Sequence, residues 1–151
     1  MNFQRETLFD VIEEVQPLLE LHYLELCVNK DAVKLSPRWD VYTELERLGC
    51  FVVLTAREGE ALAGYSAYFL SPHMHYSGFS VAQNDVFYLA EEYRRGTTAL
   101  RFLRYSETAL KDLGAQKLVY HCKPQNNFAP ILHRLGFKDE EVMTAKLLQG
   151  A

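Results

Sequence analysis

Cysteine is scarce in this chain: Cys27, Cys50 and Cys122 are the only three in 151 residues, an odd number at wide spacing with no C-x-x-C pair. That excludes a disulfide framework and a zinc knuckle, and free thiols are expected. Positive charge is short as well, with 16 Lys and Arg against 20 Asp and Glu for a formal net charge of -4. No general electrostatic pull toward nucleic acid or an acidic membrane is available, so neither is an expected partner. No apolar stretch approaches the roughly 20 residues a membrane helix needs. The opening Met1-Asn2-Phe3-Gln4-Arg5-Glu6 lacks the basic-then-apolar layout of a signal peptide, and a cytoplasmic protein is expected. Missing too is any Pro/Gly-rich linker, low-complexity tract or internal repeat. What is present is 48% hydrophobic and 24% charged residues, the balance of one globular domain over residues 1–151 with enough chain to enclose a core.

Leu8, Val11, Ile12, Val15 and Leu19 recur at helical spacing, and Thr7 with Asp10 offers an N-cap with a reciprocal acid. The spacing predicts a helix from about Leu8. Pro17 lies inside the apolar pattern, which continues through Leu18, Leu21, Leu24 and Leu26, so a kink or restart is expected there. After a loop over 29–35, Ser36-Pro37 reads as an N-cap with proline at the first helical position. Trp39, Tyr42, Leu45 and Leu48 share the face of this second helix until Gly49 ends it. From Cys50 the period changes. Residues 50–56 and 62–70 are β-rich and flank Glu58-Gly59-Glu60, which predicts a hairpin. A loop over 71–78, rich in imidazole and aromatic groups, leads to a strand from Val81 or Asp85 to Leu89. A helix follows in which Ala99, Leu103, Ser106, Leu110 and Leu113 share a face and Gly114 supplies the C-cap. A strand over 117–122, a loop over 123–127, a short helix ending at Gly136 and a last strand over roughly 141–148 complete one α/β domain.

The informative junction is Leu89-Ala90-Glu91-Glu92-Tyr93-Arg94-Arg95-Gly96-Thr97-Thr98-Ala99. A strand runs into a basic, glycine-containing turn that opens a helix, a layout that aims unpaired backbone N–H groups and the positive end of a helix dipole at an anion. Arg94 and Arg95 supply guanidinium groups, and Thr97 or Thr98 is expected to cap the helix. Arg101 and Arg104 extend the basic cluster; it is either an exposed helix face or a contact for a further phosphate. G-x-x-x-x-G-K-[ST] and G-x-G-x-x-G are both missing, which disfavours ATP and NAD.

At this turn the sequence resembles the GNAT superfamily of acyl-coenzyme A-dependent N-acyltransferases. Arg94 and Ala99 match the ends of its pyrophosphate loop, [QR]-x-x-G-x-[GA], and Thr97 stands where the inner glycine is usual. The resemblance covers nearly the whole chain, with Leu135-Gly136-Phe137 closing the last helix. It is nearest to phage- and prophage-encoded members, which carry a similar Pro-His-x-His-Tyr segment, here Pro72 to Tyr76, and a similar Tyr-Arg-Arg-Gly turn, here Tyr93 to Gly96. It implies an α/β (α+β) GNAT fold: a mixed, mostly antiparallel sheet with helices on both faces, in which the strand ending at Leu89 and the strand opening at Lys117 splay apart. It implies acetyl-CoA as co-substrate and no metal. Pantetheine would pair with the backbone near Leu89, pyrophosphate would sit on the N–H groups of Arg95, Gly96, Thr97, Thr98 and Ala99, and Asn126 would face the pantetheine arm. The acceptor side would be bordered by His75 and Tyr76 and lined by His22. Relatives often dimerise through C-terminal strands, so a homodimer is an expectation as well.

Acyl transfer to an amine needs a base, donors for the carbonyl oxyanion and an acid for the thiolate. Asp85, the only acid on its strand, shares a face with Phe87 and Leu89 by two-residue alternation. It is either the base or a solvated residue paired with a neighbouring lysine or arginine. The position of the family's usual tyrosine acid is Leu132, and His133 points about 100° away around the helix. His121, on the strand where the gap should open, is the remaining candidate beside Tyr120 and Cys122, which read as core. His73 and His75 form an H-x-H pair without a third ligand in sequence reach, so no metal site is expected. The expected function is transfer of acetyl from acetyl-CoA to the primary amine of a small molecule or protein, by direct attack in a ternary complex. The alternative is a weak or inactive phage-encoded module of the same fold that binds a partner protein, in the host cytoplasm.

Overall fold

The computed structural model describes residues 1–124 and 127–148. Five strands, β1 (Asn2–Glu6), β2 (Phe51–Glu58), β3 (Ala61–Pro72), β4 (Ser80–Leu89) and β5 (Lys117–Val119), form one sheet in chain order. All neighbours are antiparallel except β4 and β5, which are parallel. α1 (Leu8–Leu26) and α2 (Trp39–Arg47) cover one face, α3 (Thr98–Asp112) covers the other, and α4 (Ala129–Arg134) follows β5. The mixed sheet with helices on both faces is the one expected.

α1 begins where the sequence indicates. Thr7 caps it, accepting from the Asp10 N–H at 3.3 Å and donating to the Asp10 carboxylate at 2.5 Å. Leu8, Val11, Val15 and Leu18 are its buried stripe. It runs through Pro17 as one helix, where a kink or restart was expected. Pro17 and Glu13 are exposed, so water can take the carbonyl the proline leaves free, while the packed stripe holds the axis. α2 starts at Trp39 rather than after Ser36, and Arg38 in the cap position is held bidentately by Asp40 at 2.9 and 2.7 Å.

β1 has no counterpart in the sequence reading, because Gln4, Arg5 and Glu6 mask its pattern. Its partners define it: Glu6 receives the guanidinium of Arg57 at 2.8 Å, and Phe3 stacks on Phe102 of α3 at 5.2 Å. Burial alone would raise the Glu6 carboxyl, yet hydrogen bonds from Arg57, Thr55 and Gln4 hold it at about 2. The last expected strand is absent among the described residues. Residues 137–148 have no regular structure, and Val142, Met143, Leu147 and Leu148 are exposed. Alternation asks for a strand edge to pair with, and β5 is only three residues long.

The register of β3 and β4 slips once. Ala67 faces Val86 and Tyr68 faces Asn84, so Asp85 is an extra residue, a β-bulge. Below it Ala82 packs toward α3; above it Val86 and Tyr88 pack toward α1 while Phe87 and Leu89 pack toward α3. Asp85 therefore does not share a face with Phe87 and Leu89. The bulge turns it with Val86 to the α1 and α2 side. Opposite the end of β4, Gly64 is a close approach, since a Cβ there would lie 2.5 Å from the Tyr88 carbonyl oxygen. No helix among the described residues is long and apolar enough to cross a membrane.

Candidate active site

β4 and β5 are neighbours only where Val81, Ala82 and Gln83 face Lys117, Leu118 and Val119. At the bulge they part. Asn84, buried at the fork, accepts a hydrogen bond on its side-chain oxygen from the His121 N–H at 2.6 Å. A side-chain amide thus replaces the next rung of the ladder and ends it. Tyr120 turns into the α3-side core, its hydroxyl 2.8 Å from that of Tyr68 and its ring against Phe87, Phe128 and Phe137. β4 runs on to Leu89, so its edge toward β5 carries main-chain groups with no strand opposite among the described residues. An extended ligand with amides of its own fits such an edge.

The turn after β4 is a short 3-10 helix, Glu91–Tyr93, then a tight bend in which the Thr98 N–H reaches the Arg95 carbonyl at 3.2 Å. Gly96, at φ +56, takes a left-handed conformation that other residues resist. Thr97 occupies the cap position of α3 without a side-chain hydrogen bond, against the expectation that a threonine would cap it. With the Thr98 N–H turned to Arg95, the N–H groups of Ala99 and Leu100 at the start of a 15-residue helix are left for an anion. The two arginines do not act alike. Arg94 is clasped by Glu25 of α1 at 2.9 and 2.6 Å, donates from Nε to the Leu89 carbonyl at 2.7 Å, and lies over the Tyr88 ring. It anchors the turn rather than offering an open cation. Arg95 is exposed and forms no ion pair among the described residues, which makes it the available charge. Arg101 lies over Phe3 at 5.5 Å, and Arg104 is exposed.

On the other side of β4, α1, the segment 27–37 and α2 roof a cavity of about 320 Å³. Leu19, Leu35, Trp39, Phe51 and Val86 make its walls largely apolar. Asp85 lies in it, reached by the Tyr42 hydroxyl at 3.0 Å. The carboxyl still meets water through the cavity, but the bulk around it raises its pKa, with the Tyr42 hydrogen bond working the other way. Burial and the nearby Asp85 push Tyr42 up to about 12. Tyr65, buried beside them, has a hydroxyl with no protein partner, and burial and Asp85 raise it too. His22 lines the same space against Tyr88. Burial, then repulsion from Lys123 and Arg94 against the pull of Glu25, brings its pKa to about 4, so the ring is neutral.

A fork, an uncapped helix over a glycine turn and a cavity behind them thus meet on one strand. The model of the acetyltransferase (GNAT) family matches residues 15–137. The chain belongs to the GNAT acetyltransferase family. GNAT proteins use acetyl-CoA as co-substrate. Among solved structures, the chain resembles an aminoglycoside acetyltransferase from an uncultured soil metagenomic sample at TM-score 0.76 and 16% identity, covering 99% of this chain and 98% of that one. It also resembles glucosamine-6-phosphate N-acetyltransferase from Arabidopsis thaliana at TM-score 0.73 and 11% identity, covering 98% of each chain. A third is ribosomal-protein-alanine N-acetyltransferase from Brucella melitensis biovar Abortus 2308, at TM-score 0.71 and 16% identity, covering 97% and 99%. At these identities the likeness is one of fold. No curated protein sequence matches the chain.

In this GNAT frame the expected site residues separate. Asp85 and His22 line one cavity. Arg95, Gly96, Thr97, Thr98 and Ala99 form the turn and first residues of α3, and the Leu89 carbonyl is taken by Arg94. His121 stands at the fork with its main chain engaged and does not line the cavity. His75 and Tyr76 lie away from the cavity they were expected to border. β3 and β4 pair as far as Pro72 and Ser80, which carries the loop past the cavity's end. There His75 donates its N–H to His73 Nδ1 at 3.2 Å and the Tyr76 ring lies 4.5 Å from that of His73. Asn126 lies outside the described residues. Leu132 is buried core, so that position offers no acid. The sequence reading missed Asn84, Tyr42 and Tyr65. Two successive polar residues, Asn84-Asp85, inside an alternating strand were the available signal for the bulge.

Proposed function

We propose that the protein is an acetyl-CoA-dependent N-acetyltransferase that acetylates a primary amine by direct attack in a ternary complex. One observation carries the reading: β4 presents the forked edge and the uncapped α3 turn on one side and, on the other, a carboxylate, Asp85, held by Tyr42 in an apolar-walled cavity open to water. The pyrophosphate of acetyl-CoA lies on the N–H groups that open α3, with Arg95 as counter-charge. Its pantetheine amides follow the open edge of β4. The acceptor enters as an ammonium and gives a proton to Asp85, whose raised pKa brings it nearer the amine's own. The free amine attacks the thioester carbon, the nitrogen gives up its second proton to water, the C–S bond breaks, and the thiolate leaves. Water protonates that thiolate, since Leu132 cannot.

Leu132 also favours a second reading, a catalytically weak GNAT module, phage-encoded and acting by binding a partner protein. The cytoplasm as the place of action and a homodimer belong to the first reading and remain part of the proposal. Acetyl-CoA should raise the melting temperature by several degrees, and Arg95→Glu should remove the shift. Calorimetry that detects no binding at millimolar acetyl-CoA would refute the enzyme. Copurified coenzyme A with turnover on an amine panel supports it, whereas an empty protein held by a tight partner supports the module.

A further inference from the structure

The cavity says more about the acceptor than that it is an amine. Among the described residues Asp85 is the only acidic side chain lining it, and it takes a hydrogen bond from a phenol, Tyr42. A carboxylate between largely apolar walls, open to water and with no cation paired to it among the described residues, is ready to take one. The buried Tyr65 hydroxyl beside it is also without a partner. Away from Asp85 the walls are rings and aliphatic chains, with Trp39 and Phe51 among them. Two further charges line the cavity, and both are positive. Lys34 donates to the Lys30 carbonyl and Lys123 to the Leu26 carbonyl, each at 2.9 Å, and neither has a carboxylate partner among the described residues. The space, about 320 Å³, is at the small end of ligand pockets.

We propose that the acceptor is a compact molecule with a single ammonium group on an apolar, aromatic body. Its ammonium completes the pair with Asp85, and its ring replaces water against Trp39 and Phe51. A polyamine fails because its second ammonium finds no second carboxylate and meets Lys34 or Lys123, and an amino sugar fails because its hydroxyls find largely apolar walls. This inference rests on the acetyltransferase reading for the fate of the amine, but its test does not need turnover.

Trp39 is the chain's only tryptophan and lines the cavity, so its fluorescence reports occupancy directly. The intact protein, with and without coenzyme A, is titrated with 2-phenylethylamine, 2-phenylethanol, spermidine and glucosamine. A saturable change is expected with 2-phenylethylamine at concentrations at least ten-fold below any response to spermidine or glucosamine. Asp85→Asn should weaken 2-phenylethylamine about ten- to hundred-fold, the loss of one charged hydrogen bond. It should leave 2-phenylethanol unchanged, which also shows that the variant is folded. If spermidine or glucosamine binds as well as 2-phenylethylamine, or if Asp85→Asn weakens alcohol and amine alike, the proposal is overturned. Binding of the aromatic amine without acetyl transfer would overturn the enzyme reading and keep this one. Transfer to polar amines alone would do the reverse.

Discussion

The two faces of the sheet are built from alternate residues of the same strands, yet one is solid and the other hollow. Toward α3, Val52, Leu54, Tyr68 and Leu89 meet Phe102 and Leu110, and the Phe3, Phe87 and Tyr120 rings fill what remains. Toward α1 and α2, Phe51, Val53, Tyr65, Ala67 and Tyr88 meet Leu8, Val11, Val15 and Leu18, and a cavity opens beside them. The contrast lies in the helices. α3 sinks Phe102, Leu103, Ser106 and Leu110 into the sheet, whereas α2 buries no residue fully and reaches the sheet only through the half-buried Trp39, Tyr42 and Leu45. Both faces hold a buried core, and only the α1 and α2 side keeps space for a ligand beside it.

The largest test of that division is Phe102→Ala, which should cost about 3–5 kcal/mol and lower the denaturation midpoint accordingly. A loss under about 1 kcal/mol would mean the α3 face is not the packed one. A second effect comes from His22 on the hollow side. Its folded pKa, about 4, lies below the ordinary value near 6.5, so the unfolded chain takes up the proton first. The stability due to the neutral ring is complete above about pH 6.5 and is lost as pH falls toward 4. Unfolding free energies from urea titrations at pH 7 and pH 4.5 should differ by about 2 kcal/mol more in the native protein than in His22→Gln. An equal difference in both would place His22 in water. The smallest stability effect is expected from Trp39→Ala, about 1 kcal/mol or less, with a several-fold rise in acceptor KM. A Trp39→Ala cost equal to that of Phe102→Ala would mean that the roof is collapsed onto the sheet in solution.

Most of the fold was legible because it follows from periodicity. α1, α3 and the β2–β3 hairpin appear where apolar spacing, Thr7, Gly59 and Gly114 put them. The turn from Arg94 to Ala99 was legible for a similar reason, since a strand, a glycine and a helix start are local features. The two ends failed for want of partners: β1 is a strand only because β2 accepts it, and 141–148 has strand alternation but no edge to join. At the site, the sequence singled out Asp85 and His22, and both reached the cavity. His75 and Tyr76 did not, because the length of the β3–β4 ladder, not the composition of its loop, decides where that loop lies.

By itself, then, the sequence determined an α/β fold with an anion-seeking helix start, since those depend on contacts within a few residues. Only the tertiary structure decided which arginine is free, because Glu25 of α1 lies 69 positions from Arg94 and takes it. It also decided which way Asp85 faces. Strict alternation would send that carboxylate toward α3, and the bulge between Ala67 and Tyr68 on the partner strand sends it into the cavity instead.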